Sequence, residues 1–331
     1  MGYIDKKELT GSMTFDEFAR FKLHALYRAN GYERFKMDKF EEYELYLKNR
    51  DFVETESIIT FSDQTGSLMA LKPDLTLSIV KSFKYEPGKV SKVFYSENVY
   101  RSSKASRMHR EMMQTGLECM GDITSADSRE VTVLAAKSLE ALTDDFVLQI
   151  SHMGLVTDIL KDVNEGSVRR DIIRCIGEKN KHDLKDVCET GGVDSKTLRA
   201  LETLINVYGS CEDAEAALGS LELGEEGKAA EKELIEVFDA LKREGLSENA
   251  RVDFSVVNDM NYYSGILFRG FADGVPVSVL SGGRYDKLMS RNSRKGGALG
   301  FAVYLDHFTR LGRKGDTPDV EVTLTVSEAK Q

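Results

Sequence analysis

The stretch VFYSENVYRSSKASRMHREMMQTGLECMG, residues 93–121, decides the fold. Apolar and polar residues alternate over 93–100, the period of a half-buried strand. A polar run fills 102–108, and 111–120 returns extended, so the pattern predicts a strand, a loop and a returning antiparallel strand.

The neighbouring segments extend this unit in both directions. Upstream, SIITFSDQTGSLMALKPDLTLSIV (57–80) reads as two strands joined by a polar turn at 63–66, followed by a helix that Thr76 or Asp74 would cap. Before it, TFDEFARFKLHALYRANG (14–31) has the spacing of an amphipathic helix. Phe15, Phe18, Phe21, Ala25 and Leu26 form its apolar face, Lys22 interrupts that face and Gly31 stops the helix. Downstream, DSREVTVLAAKSLEAL (127–142) is helical, with Asp127 as its cap.

From 154 to 248 the character changes to a helical stretch rich in Glu, Lys and Ala and almost free of aromatic residues. It reads as an insertion with a solvated surface, and its charge-rich run 224–245 reads as a solvated helix. Strands resume near 250 with RVDFSVV, YYSGILFRGF and VPVSVLSGG, and ALGFAVYLDHF predicts a strand entering a helix. An antiparallel sheet interrupted by a helical insertion fits this α+β order better than a doubly wound parallel sheet. The expected division is a core of 1–153 and 249–315, an insertion of 154–248 and a tail of 316–331.

Composition narrows the function classes. A net charge of -10 argues against broad contact with a phosphate backbone. No apolar run reaches the ~20 residues of a membrane span, and the first residues lack an apolar signal region, so a cytoplasmic protein is expected. The four cysteines show no C-x-x-C spacing and the five histidines no metal-site spacing, so neither a metal nor a cofactor is expected. Gly282 and Gly283 read as a turn or close backbone approach. Met108, Met112, Met113 and Met120 read as core filler.

The ordered motifs are similar to those of the class II aminoacyl-tRNA synthetases, specifically the histidyl-tRNA synthetase catalytic domain. Residues 93–121 resemble motif 2, and LGFAVYLDHF (299–308) resembles motif 3. NDMNYYSGILF (258–268) and SGGRYDKL (281–288) resemble the two histidine-specific signatures, and LKPDLT (71–76) sits where that family has L-R-P-E-G-T. The resemblance implies a mostly antiparallel sheet of six or seven strands, flanked by helices. It also implies a homodimer paired through motif 1, the helix from about 14 and the strand near 32–37.

By residue-to-residue match, Asp74 and Thr76 correspond to the groups that hold an amino-acid ammonium, and Gln114 to a glutamine spanning the backbone groups. Glu118 with Tyr263, beside Tyr262, corresponds to the pair that reads an imidazole. An ammonium needs carboxylate acceptors, and a histidine ring needs an acceptor at one nitrogen and a hydroxyl at the other.

The nucleotide side departs from the family. Its activation chemistry depends on arginines aimed at a highly negative transition state. The motif 2 arginine survives as Arg101, but Asn258 and His307 stand at the other two positions. The motif 2 loop also lacks the family's E-R-P-Q pattern, and no anticodon-binding domain is expected after motif 3.

These features resemble the ATP phosphoribosyltransferase regulatory subunits of bacterial histidine biosynthesis. That resemblance implies a non-catalytic chain that activates a short-form ATP phosphoribosyltransferase catalytic subunit in a hetero-oligomer, an octamer, and conveys feedback by histidine. Two alternatives remain. One is a divergent synthetase-like enzyme activating an amino acid with ATP, for which Lys104, Arg107 or Arg294 would have to rebuild the nucleotide site. The other is a free-standing amino-acid sensor.

Overall fold

The computed structural model describes residues 13–53, 55–102, 108–164, 166–256 and 262–308. Helix α1 (Phe15–Ala29) opens with a capping box in which the Thr14 backbone N–H donates to Glu17 at 2.9 Å. Its buried stripe is Phe18, Ala19, Leu23 and Tyr27, rotated from the expected face: Phe21 is 44% exposed and Ala25 lies on the solvent side. Lys22 edges this stripe and donates to the Ala141 carbonyl at 3.0 Å, a place where a cation suits a helix C-terminus.

Strands β1 (Glu33–Arg34) and β2 (Phe40–Glu42), helix α2 (Tyr43–Lys48), strands β3 (Thr60–Ser62) and β4 (Leu68–Leu71) and helix α3 (Thr76–Ser82) follow. The turn between β3 and β4 closes where the sequence places it, with Asp63 accepting from the backbone of Thr65 and Ser67. The hairpin of 93–121 is longer than its alternation indicates: β5 (Val90–Ser102) pairs with β6 (His109–Gly121) along its whole length. Helix α4 (Ser125–Glu140) is capped by Thr124, not by Asp127. Asp127 is the reciprocal partner three residues on, accepting from the Thr124 backbone N–H at 2.8 Å.

Strand β7 (Phe146–His152) leads into helices α5 (Met153–Ile159), α6 (Ser167–Gly177), α7 (Lys181–Thr190) and α8 (Ser195–Asn206). A two-residue strand β8 (Tyr208–Gly209) then interrupts the helical stretch and pairs with the strand that follows it in the sheet. Helices α9 (Cys211–Leu218) and α10 (Glu225–Arg243) return the chain to β9 (Ala250–Asp253), β10 (Ile266–Ala272), β11 (Leu280–Arg284), α11 (Asp286–Arg291), β12 (Gly297–Tyr304) and α12 (Leu305–Phe308).

Among the described residues the main sheet has nine strands in the order β1-β5-β6-β12-β11-β10-β7-β9-β8, and β2-β4-β3 form a small second sheet. Pairing in the main sheet is parallel only at β1–β5 and β7–β9, so it is mostly antiparallel as expected. The count exceeds the expected six or seven because a two-residue strand is added at each edge.

The two faces of the hairpin serve different cores. Phe94, Leu117 and Cys119 belong to the larger hydrophobic cluster, which runs through α1, α4 and most of the helices between 154 and 248. Tyr95, Val99 and Met120 belong to a smaller cluster with α3 and α11. Residues 224–245 are not a wholly solvated helix. Ala230, Leu234, Val237, Phe238 and Leu241 of α10 are buried, a stripe at helical spacing that the surrounding charges mask. No helix among the described residues is long and apolar enough to cross a membrane.

Candidate functional site

Side chains two apart on a strand share a face, as do directly paired residues of an antiparallel hairpin. On β6 this sets Arg110, Gln114, Gly116 and Glu118 in one row, opposite Arg101, Glu97, Tyr95 and Val93 of β5. The row borders a cavity of about 100 Å³ whose walls also include Asp74, Thr76, Tyr262, Tyr263, Tyr285 and Tyr304. The six residues matched to the amino-acid side, Asp74, Thr76, Gln114, Glu118, Tyr262 and Tyr263, therefore meet in one place, with Arg101 among them.

Glycines make the room. Gly300 of β12 pairs with Glu118, and a side chain there would occupy the space of the Glu118 carboxyl. A Cβ at Gly116 would collide with the Phe301 carbonyl and lie 2.7 Å from the Tyr95 hydroxyl. The motif 3 glycine thus serves the acidic floor of the cavity.

Glu118 is 2% exposed. Its Oε2 accepts from the Tyr285 hydroxyl at 2.5 Å and its Oε1 from the Thr76 hydroxyl at 3.2 Å. Burial pushes its carboxyl up to about 8, against the pull of these two hydrogen bonds, and the nearby Asp74 charge adds to the rise. Asp74 sits in the turn before α3, and its Oδ1 accepts from the Leu77 N–H at 2.9 Å, the capping role read from the sequence. Burial raises its carboxyl too, while the Leu77 bond and the Arg101 charge oppose the rise. Arg101 reaches back from the rim, Nε donating to the Pro73 carbonyl at 2.9 Å. Directly across the hairpin lies Arg110, exposed on the same face.

An aromatic wall completes the enclosure. The Tyr262 ring lies 4.7 Å from Tyr263 edge-on, 5.7 Å from Tyr285 and 5.7 Å from Phe52. Burial raises the Tyr262 and Tyr285 hydroxyls well above their ordinary range, so both remain O–H groups at neutral pH. The hydroxyl bonded to Glu118 comes from Tyr285, which the motif reading did not single out although it lies within SGGRYDKL. Tyr95, Ser281 and Tyr304, the last two joined by a hydroxyl–hydroxyl bond of 2.5 Å, were likewise missed. Their only sequence signal is alternation, which every strand shares.

One of the two positions that replace the family's arginines stands apart. His307 does not line this cavity: its Nδ1–H donates to the Ser278 carbonyl at 2.8 Å, and its ring lies 5.4 Å from that of Tyr304. Arg294, a candidate replacement cation, donates to the Lys81 carbonyl and does not line the cavity either. Asn258, Lys104 and Arg107 lie outside the described residues. No cluster of three or more His, Cys, Asp or Glu side chains suited to a metal occurs among the described residues. Two carboxylates, several hydroxyls and one guanidinium suit a small ligand rich in N–H donors and bearing one anionic group.

Comparison with known proteins gives a consistent picture. The histidyl-tRNA synthetase family model matches residues 13–308. An ATP phosphoribosyltransferase regulatory subunit from Geobacillus sp. (strain WCH70) is 30% identical over 298 residues, covering 88% of this chain and 76% of the relative. A crystal structure of an ATP phosphoribosyltransferase regulatory subunit/histidyl-tRNA synthetase from Bacillus halodurans superposes with a TM-score of 0.79 at 26% identity, over 94% of this chain and 81% of that one. An ATP phosphoribosyltransferase complex from Thermotoga maritima contributes a chain of the same fold, with a TM-score of 0.69 at 20% identity, over 88% of this chain and 97% of that one.

Proposed function

The chain belongs to the histidyl-tRNA synthetase-like family of ATP phosphoribosyltransferase regulatory subunits, and from that premise we propose that it activates a short-form ATP phosphoribosyltransferase and conveys histidine feedback to it. On this reading it is a non-catalytic subunit of histidine biosynthesis, assembled as a homodimer with catalytic chains in a hetero-octamer.

One observation carries the reading. The residues matched to amino-acid recognition gather around one cavity, while His307, at a position where the synthetases keep an arginine, is turned to the Ser278 carbonyl outside it. Bound histidine would place its ammonium against Asp74 and Thr76 and an imidazole N–H against Glu118. Its carboxylate would meet Arg101, with Arg110 beside it. A bidentate guanidinium–carboxylate pair suits that last contact.

The make-up of the cavity links binding to shape, because a ligand there would touch side chains from α3, β6, β12 and the segments carrying Tyr262 and Tyr285 at once. Tyr285 and Thr76 are hydrogen-bonded to Glu118, and the Tyr262 ring lies against that of Tyr285. A ligand that requires one arrangement of those walls shifts the assembly toward the state that provides it, and the coupling is reciprocal. A tenfold effect on activity needs ~1.4 kcal/mol of differential affinity.

The test is reconstitution. The chain is mixed with a short-form ATP phosphoribosyltransferase, and turnover is measured with and without histidine. We expect turnover to rise on assembly and to fall with histidine. Failure to raise turnover would refute the activating role, and insensitivity of the active complex to histidine would refute the feedback role.

A further inference from the structure

We propose that Tyr304 determines the specificity of the cavity by ending it at the ligand's carboxylate, an inference that rests on the histidine-pocket reading above. The site then takes a free amino acid and rejects one extended through its carboxyl group, an adenylate above all.

The floor of the cavity is built across three paired strands. Glu118 of β6 pairs with Gly300 of β12, and Gly300 with Gly283 of β11. One level along, Gly116 pairs with Ala302, and Ala302 with Ser281. Residues two apart on a strand share a face, so the next level on β12 is Tyr304, paired with Gln114. On β11 and β12 the first two levels hold nothing larger than serine. Tyr304 is the first bulky side chain beyond them.

The ring is held from both sides. Its hydroxyl is bonded to that of Ser281, which lines the cavity, and its backbone N–H donates to the Val279 carbonyl at 2.8 Å. On the other side the ring lies 5.4 Å from that of His307, itself fixed by the Nδ1–H bond to the Ser278 carbonyl. Asp306, between the two, accepts the Met113 N–H at 3.0 Å and so ties the end of β12 to β6 beside Gln114. Tyr304 lines the cavity and His307 does not, so the tyrosine ring separates them.

That separation bears on ligand length. A free carboxylate ends at Arg101 and needs no room beyond it. An adenylate carries a phosphate and a nucleoside onward, into the side marked by Arg101 and His307, the two described positions that match the family's nucleotide-facing arginines. Tyr304 occupies the His307 side of that exit. A bulky group placed against one ligand and not another discriminates by clash, independently of any lost charge.

The test compares histidine with the acyl-sulfamoyl adenosine analogue of histidyl adenylate, by calorimetry on the full chain. We expect the wild-type chain to bind the analogue roughly ten- to a hundredfold more weakly than histidine, as for a group forced into occupied space. Tyr304→Ala should shift the ratio of the two affinities at least about tenfold toward the analogue. Tyr304→Phe keeps the ring and should hold the wild-type ratio, and His307→Arg alone should hold it too. Thermal unfolding checks the fold, and Tyr304→Ser replaces the alanine variant if that one does not fold. Equal affinities in the wild type, or an unchanged ratio in folded Tyr304→Ala, would overturn the proposal. So would the same shift from Tyr304→Phe or from His307→Arg alone. If the wild-type chain binds no histidine, the pocket reading fails by itself. The analogue then decides the role of Tyr304: binding by Tyr304→Ala and not by the wild type supports it, and any other outcome refutes it.

Discussion

Replacing Glu118 with Gln should stabilise the unliganded protein at neutral pH. Glu118 is enclosed beside Asp74 and titrates at about 8 in the fold against 4.5 ordinarily. Between those values the folded chain holds a proton that the unfolded chain has released, so stability falls as pH rises from 4.5 to 8. Each unit costs about 1.4 kcal/mol, which sets the penalty near 3 kcal/mol at pH 7, as an order of magnitude. Glutamine cannot ionise, and it can still accept from Tyr285 through its carbonyl while its amide faces the Thr76 hydroxyl. Groups such as Asp74, Asp306 and Glu233 titrate in both proteins and largely cancel in the difference. Thermal and denaturant unfolding of both proteins at pH 5, 7 and 8.5 measures the effect. The curves should nearly coincide at pH 5, and by pH 7 Glu118→Gln should melt higher by roughly 5 °C or more. Parallel curves from pH 5 to 8.5 would refute the buried-acid reasoning. The same logic predicts that a cationic ligand, which needs the ionised carboxylate, drives a proton off Glu118 at pH 7, visible as buffer-dependent binding enthalpy.

Histidine affinity should fall tens- to thousands-fold in Glu118→Ala, since a buried charged hydrogen bond broken on one side costs ~2–5 kcal/mol. Tyr263→Phe should cost only ~1 kcal/mol; equal losses in calorimetry would contradict the assigned roles. No histidine-dependent ATP–pyrophosphate exchange above background is expected from the isolated chain, and robust exchange with any standard amino acid would favour the synthetase-like enzyme. The isolated chain should sediment as a homodimer at micromolar concentration, because α1 leaves Phe21 exposed and the sheet ends at a two-residue edge strand, β1; a clean monomer would contradict this.

Alternation and helical spacing located the hairpin 93–121, the sheet-forming segments beyond 250 and the helices at 15–29, 76–82 and 125–140, because these depend on local periodicity, but left the strand at 146–152 and the helices at 43–48 and 286–291 unread. They failed where a side chain's partner lies far along the chain. Phe21 looks as apolar as Phe18, and only packing against the sheet decides which is buried. The charges around 224–245 conceal a stripe that is legible only once α4 and α5 are placed beside α10. The cavity shows the same division. Asp74, Gln114 and Glu118 could be singled out because the ordered motifs resemble a known family; taken singly each would pass for a surface polar residue. The hydroxyl that meets Glu118 belongs to Tyr285, 167 residues away, and no spacing rule connects them. Tyr262 and Tyr263 stand out in the sequence as an adjacent pair, whereas Tyr285 is one aromatic residue after a turn-like Gly-Gly. The structural distinction comes from Gly300 on a third strand: its missing side chain leaves the space that the Glu118 carboxyl fills. A glycine on β12 is therefore a condition for the acid on β6, and Gly300→Ala would displace that acid without altering any residue that the motifs assign to recognition.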